Sequence, residues 1–290
     1  MSWNYYYKTK KVKAATDFVV EVQKSRKPLY SIVVGDFNSR VPKNYNGYIL
    51  RASGDKSKLS KKNLAYPIFV DDPLKKYFNS KKTFYRKYIK KPVIGFCGQA
   101  NPLRFQTFVD VLRVSTKNVM CYLGLKNFEP QKVMSTTYFR YKILNHLQNS
   151  KTVTTNFILR QEHRAGVIKD KDTHITTQQF YENIRDSDYT VCMRGAGNFS
   201  VRFYETLAMG RIPVFVNTDC ILPLENKINW KEHVVWVEYN ERHQITEKIL
   251  EFHAQLDQYK LNELFEKNRE LWENRLTLIP YFKTLFNENI

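Results

Sequence analysis

The 290-residue sequence contains no apolar run of the roughly 18 to 20 residues that a bilayer span needs, and its longest candidates are short stretches such as IPVFV. A crossing segment is therefore not expected. Ten glycines and ten prolines are too few for a linker, a collagen-like chain or a low-complexity protein. Only four cysteines are present, Cys97, Cys121, Cys192 and Cys220, far apart and without a CxxC pair, so they read as free, mostly buried thiols. Acidic residues are scarce in the first 100 positions, which hold 6 against 22 Lys and Arg; the remaining 190 are nearly balanced. Missing too are the GxGxxG dinucleotide fingerprint, the GxxxxGK[ST] phosphate loop and the HExxH spacing of a zinc site, which disfavours oxidoreductase, P-loop kinase and zinc-hydrolase readings.

What is present builds a folded core: 42% of residues are apolar and 14% aromatic, enough for two compact domains or one large one. The amino terminus is basic like the start of a signal peptide, but Asp17 and Glu21 fall where an apolar stretch should follow, so a cytoplasmic protein is expected. Between Lys56 and Lys91 the cations alternate with Tyr66, Phe69, Tyr77, Phe78, Phe84, Tyr85 and Tyr88. Without a nucleic-acid-binding framework this reads as a solvated lysine face over an aromatic half-core, and no nucleic acid is expected as a partner.

Residues 30 to 34 read as a buried strand ending at Gly35 and Asp36, and 92 to 98 as a second strand with a glycine turn. Phe105, Phe108, Val109 and Leu112 recur at helical spacing between Arg104 and Val114. Further strands are expected at 155–159 and 234–237, a short helix at 178–185, and helices at 245–259, 261–276 and 281–286. The most informative stretch is strand Asp188 to Met193, loop 194–198, helix from about Ser200 to Met209, a Gly210 stop and strand Ile212 to Val216. That order demands parallel pairing, hence an alternating α/β fold with ligands beyond the strand carboxyl ends.

A glycine-bearing loop that runs into a helix amino terminus is an anion site. Gly195 and Gly197 would let a phosphate approach, and Arg194 and Arg202 add planar donors suited to diphosphate oxygens. A cation in the first turn opposes the helix dipole, so Arg202 calls for an anionic partner. Glu205, one turn on, could accept from two ribose hydroxyls; its bland alternative is a salt bridge to Arg202.

The run from Ser187 to Val216, continuing through AspCysIleLeuPro and IleAsnTrp, resembles the exostosin glycosyltransferases; PheCysGly at 96–98 and PheIleLeuArg at 157–160 are weaker landmarks. The resemblance implies a GT-B architecture: two Rossmann-like domains facing across a cleft, the first one short. It divides the chain into a basic acceptor-side domain at 1–91, a nucleotide-sugar-binding domain at 92–276 and a C-terminal helix at 277–290 that returns towards the first domain. It also implies inverting transfer from a UDP-sugar of the xylose, galactose or glucuronate type to a hydroxyl of a glycan acceptor, which can be anionic, membrane-linked or protein-linked. No cofactor or metal is expected. Arg194, Gly195, Asn198, Ser200, Arg202, Glu205 and Arg160 would hold the donor. Family members from eukaryotes commonly carry a Golgi membrane anchor, so a bacterial or viral enzyme, soluble or peripheral at a membrane surface, is the expectation here.

An inverting transfer needs a proton acceptor. Asp36 is the first choice because it directly follows a buried strand and a glycine turn; Glu162 and His163 are the runners-up. Asp186 and Asp188 spell the Asp-x-Asp of metal-dependent transferases but precede their strand, which puts them at the wrong edge of a parallel sheet. The alternatives are a GDP-sugar transferase of the fucose type and a non-catalytic basic protein that binds nucleic acid or glycan.

Overall fold

The computed structural model describes residues 1–160 and 173–287. Glu162 and His163 lie outside the described residues. Five parallel strands dominate: β4 (Val93–Gln99), β5 (Thr154–Arg160), β6 (Tyr189–Cys192), β7 (Ile212–Asn217) and β8 (Val235–Glu238), in the order β5-β4-β6-β7-β8. Every pairing is parallel, so each connection crosses over: through α4 (Arg104–Tyr122) and α5 (Thr136–Gln148) between β4 and β5, α6 (Thr173–Arg185) before β6, α7 (Val201–Ala208) before β7, and a loop with one 3-10 turn (Trp230–Glu232) before β8. All four β6 residues are buried, as expected of a strand covered on both faces. Ile94, Phe96, Tyr189, Val191, Ile212, Val214, Val235 and Val237 form the centre of this core with α5, α8 (Ile245–His253) and α9 (Gln258–Leu271).

A second parallel sheet is smaller: β1 (Tyr30–Val33), β2 (Tyr48–Arg51) and β3 (Asn63–Ala65), in that order. Its crossovers are loops with a single 3-10 turn, so the unit is short, as anticipated. One face packs on α1 (Trp3–Lys8) and α2 (Val12–Lys24) through Trp3, Ala15 and Val19. The other face shares a core with the large unit, where Leu50 joins Phe203, Tyr204 and Leu207 of α7. Helix α10 (Leu278–Phe286) closes this seam: Tyr281 Oη donates to the Ala65 carbonyl at 2.8 Å, and Phe286 meets Tyr30 edge-on at 5.1 Å.

The contacts divide the chain differently from a boundary at residue 91. Helix α3 (Pro73–Phe78) and the segment after it lie against the five-stranded unit, because their aromatic and apolar positions find partners there. Leu74 packs with Tyr181, Ile184 and Met209, Tyr77 stacks on Tyr181 at 4.6 Å, and Tyr88 stacks on His253 at 4.7 Å. Asp72 caps α3 and takes both guanidinium nitrogens of Arg269 at 3.0 and 2.6 Å. In the other direction, the loop after α4 reaches out of the large unit: Glu129 pairs with buried Arg51 at 2.9 Å, and Arg40 Nε donates to the Phe128 carbonyl.

All four cysteines are free and buried. Burial raises the thiols of Cys192 and Cys220 to about 12, so they act as packing groups.

Candidate active site

The strand carboxyl ends of the large sheet carry a cluster of arginines. Arg194 lies two residues past the end of β6 and is only 4% exposed, with Nε and Nη1 buried and without a hydrogen-bond partner. Its carbonyl accepts from Arg140 Nη2 at 3.0 Å, while Arg140 Nη1 donates to the Gln99 carbonyl at 3.3 Å. Arg140 thus ties the end of β4 to the end of β6. Arg202 Nη2 donates to the Cys97 carbonyl at 2.8 Å, and its guanidinium lies 4.2 Å from the centre of the Phe96 ring. A Cβ at Gly98 would come within 2.7 Å of Arg202 Nη2, so a side chain there would displace that guanidinium. At the end of β5, Arg160 Nη2 donates to the Thr176 carbonyl at 2.9 Å.

Each cation is held where its charge is unfavourable. Burial first, and Arg202 second, push Arg140 down to about 10; burial likewise lowers Arg194 and Arg202. Among the described residues none of Arg140, Arg194 and Arg202 has an ion-pair partner within 4 Å; the hydrogen bonds of Arg140 and Arg202 go to backbone carbonyls. Glu205 forms no close salt bridge with Arg202. Its Oε1 accepts from Tyr181 Oη at 3.2 Å, and burial holds its carboxyl above the usual range, with the Arg202 charge opposing.

Two cavities meet at Arg194. One, of about 480 Å³, is lined by Gln99, Asn101, Asp110, Thr137, Arg194 and Ala196 among others. The second, of about 360 Å³, lies between the units and is lined by Asn38, Ser53, Asp55, Glu129, Arg194 and Asn198. Gln131 and Lys132 border both.

Several expected site residues have other duties. Asn198 stitches the units together: its backbone N–H donates to Ser53 Oγ at 2.8 Å, its Nδ2 faces Asp55 Oδ1 at 2.9 Å and the carbonyls of Gly54, Thr218 and Asp219, and its Oδ1 accepts from Thr218 Oγ1 at 2.6 Å. No part of that amide is left for a donor. The Gly195 N–H closes a turn onto the Phe199 carbonyl at 3.0 Å rather than facing a phosphate. Gly197 admits protein backbone, since a Cβ there would lie 2.8 Å from the Asp36 carbonyl oxygen. Ser200 begins α7 without a side-chain cap bond. The Asp36 carbonyl accepts from Gln131 Nε2 at 3.0 Å, so this residue is brought to the glycine loop, but its exposed carboxylate lines neither cavity. Arg202 and Glu205 also lie off both cavities, turned towards β4 and α6.

Sequence reasoning missed Arg140, which carries no motif, and Asp55. Asp55 is half-buried and accepts from Lys58 Nζ at 2.8 Å. The Asp-x-Asp carboxylates do sit at the opposite edge. Asp188 is 1% exposed, with Oδ1 accepting from Arg86 Nε at 2.6 Å and Oδ2 from the Val93 N–H at 2.8 Å.

Residues 125–251 match the family model described as the exostosin GT47 domain. Over 105 residues, 36% of this chain and 13% of the relative, the sequence is 29% identical to Exostosin-1 of Drosophila melanogaster. Over 60 residues, 21% of this chain and 14% of the relative, it is 33% identical to the probable glucuronosyltransferase GUT1 of Oryza sativa subsp. japonica. The matched stretches are thus a small part of those proteins. Among solved structures, TarM superposes with a TM-score of 0.42 at 9% identity, covering 90% of this chain and 50% of that one. A mutant TarM of S. aureus, in complex with fondaparinux, alpha-GlcNAc-glycerol and UDP, gives 0.44 with the same identity and coverage. At these scores the likeness adds nothing to the strand order, but the exostosin resemblance of the sequence stands on the family match.

Proposed function

We propose that this exostosin-like chain is an inverting glycosyltransferase of GT-B type that takes its sugar from a nucleoside-diphosphate donor. The observation that carries the reading is Arg194, buried and with two nitrogens short of partners where both cavities meet. A buried guanidinium without an anion is costly, and a diphosphate supplies the missing charge with planar, two-pronged hydrogen bonds. The resemblance to a probable glucuronosyltransferase favours a uridine nucleotide over a guanosine one.

In this reading the acceptor hydroxyl attacks the anomeric carbon from the face opposite the diphosphate. The bond from that carbon to the phosphate oxygen breaks, and UDP leaves with its new charge facing the arginines. The acceptor's proton passes to a carboxylate of the small unit. Asp36 is the proposed base; a second reading assigns Asp55, because it lines the inter-unit cavity together with Arg194. Asparagine at the true base should lower turnover by about 10² to 10⁴-fold, and at the other position should leave it near normal. With the donor charge met by arginines, transfer is expected to survive EDTA; loss restored by manganese would reject metal independence.

A thermal-shift panel of UDP, GDP and CMP tests the donor, because a ligand that binds only the native state raises the melting temperature. UDP should raise it in the wild type and not in Arg194→Ala. A response to GDP alone would move the reading to a fucose-type transferase. A response to UDP with neither transfer nor donor hydrolysis would make the chain a binding protein.

A further inference from the structure

Helix α4 turns its apolar side away from the protein. Phe105, Phe108, Leu112, Val119 and Tyr122 repeat at alternating spacings of three and four, with Ser115 in the one polar position, so they form a single stripe along the helix. They are 55% to 80% exposed, and Leu103, Leu123 and Leu125 extend the stripe at both ends, equally uncovered. Of the whole helix only Cys121 is buried. A contiguous exposed apolar surface of this kind marks an interaction site.

Charge selects the partner. From residue 101 to 135 the exposed charged side chains include the cations Arg104, Arg113 and Lys126 and no carboxylate, since Asp110 is turned in onto Ser135 at 2.6 Å and Glu129 is paired with Arg51. A second copy would bring another chain of net charge +19 against the same cations. An anionic lipid surface meets both features, because it accepts apolar side chains below its headgroups and cations at its phosphates. No described helix is long and apolar enough to cross a membrane, so the geometry is that of a helix lying along the surface.

We infer that α4 docks the protein on an anionic lipid bilayer through the stripe from Leu103 to Leu125, with Arg104 and Lys126 against lipid phosphates. The inward side of the same helix lines the 480 Å³ cavity through Gln106, Asp110, Arg113 and Val114. Docking therefore holds that cavity about one helix diameter from the lipid, within reach of a membrane-linked acceptor.

Vesicle flotation tests this without any reaction. The wild type should float with vesicles of phosphatidylcholine mixed with phosphatidylglycerol and not with phosphatidylcholine alone, and added salt should weaken the association. Replacing Phe105, Phe108 and Leu112 together by serine should abolish flotation and leave the melting temperature unchanged, because no buried surface is lost. Should that variant fail to fold, Arg104→Glu with Lys126→Glu carries the test, with partitioning expected to fall by about tenfold or more. Wild type that stays with the unbound fraction, variants that float as wild type does, or a wild-type dimer that the triple serine variant converts to monomer would overturn the inference.

Discussion

The two edges of the five-stranded sheet treat buried charge differently. At the amino edge a buried carboxylate has its cation. Asp188 has Arg86 and a backbone N–H, whereas Arg211, wholly buried, gives two nitrogens to the Arg185 carbonyl, keeps Nη1 without a partner and is lowered to about 9 by burial and by Arg86, with Asp188 and Asp186 opposing. At the carboxyl edge Arg140 and Arg202 have carbonyls for partners, and Arg140, Arg194 and Arg202 each have nitrogens left over. The sheet is one structure, so the difference is local chemistry: the amino edge closes an ion pair on folding, and the carboxyl edge, in the proposed reading, is incomplete until an anion binds.

The largest effect should come from breaking the ion pair at the amino edge. Asp188→Ala leaves Arg86 and the Val93 N–H unpaired and should destabilise the fold by about 3 to 5 kcal/mol in chemical denaturation. At the incomplete edge the sign should reverse. Arg194→Met should weaken UDP binding by about 1.5 to 3 kcal/mol in titration calorimetry, yet leave the unliganded protein as stable as wild type or more so. Equal destabilisation by both variants would erase the contrast.

Glu205→Gln offers a finer comparison within the incomplete edge. Burial raises the folded-state carboxyl above its unfolded value, so ionising it opposes folding: that stability is present below about pH 4.5 and is lost as pH rises through the folded value. Removing the charge should therefore raise the melting temperature at neutral pH by a few degrees while lowering donor affinity. A lower melting temperature with unchanged affinity would make Glu205 structural. The smallest effect is expected at Lys117, which lies over the rings of Phe37 and Phe128 and is lowered by burial to about 8. Its unfolded form binds a proton more readily, so wild-type stability should rise between about pH 8 and 10.5, and Lys117→Met should flatten that rise in melting curves.

The strand, loop, helix and strand from 188 to 217 were legible because burial on both faces produces short apolar runs, and glycine and arginine mark the turn between them. Observed bounds differ by a residue or two at the ends of β6, α7 and β7. Helix α5 and the strands β2 and β3 were not foreseen; Arg140 went with them, since a cation on a helix reads as solvated until the fold shows which strand ends it joins. Asn198 looked like a ligand-binding residue because the loop was read alone, whereas its partners Ser53 to Asp55 are more than 140 positions away. The periodicity of Phe105, Phe108 and Leu112 correctly announced a helix but not its outward face. Periodicity fixes which residues share a side, and the polar Gln106 and Asp110 on the cavity side decide which way that side turns.

The Asn198 stitch bears on how the molecule moves. The amide is clasped between the Ser53–Asp55 turn and the Thr218–Asp219 turn, while α10 latches the far end of the seam at Ala65. Two clamps at separate points resist a hinge, since swinging one unit on the other would tear at least one of them open. The gap around Arg194 is accordingly a notch cut to width during folding and not a pair of jaws. A ligand finds the walls already standing, and the ordering entropy that a closing cleft would exact at each encounter has been settled once, when the chain folded.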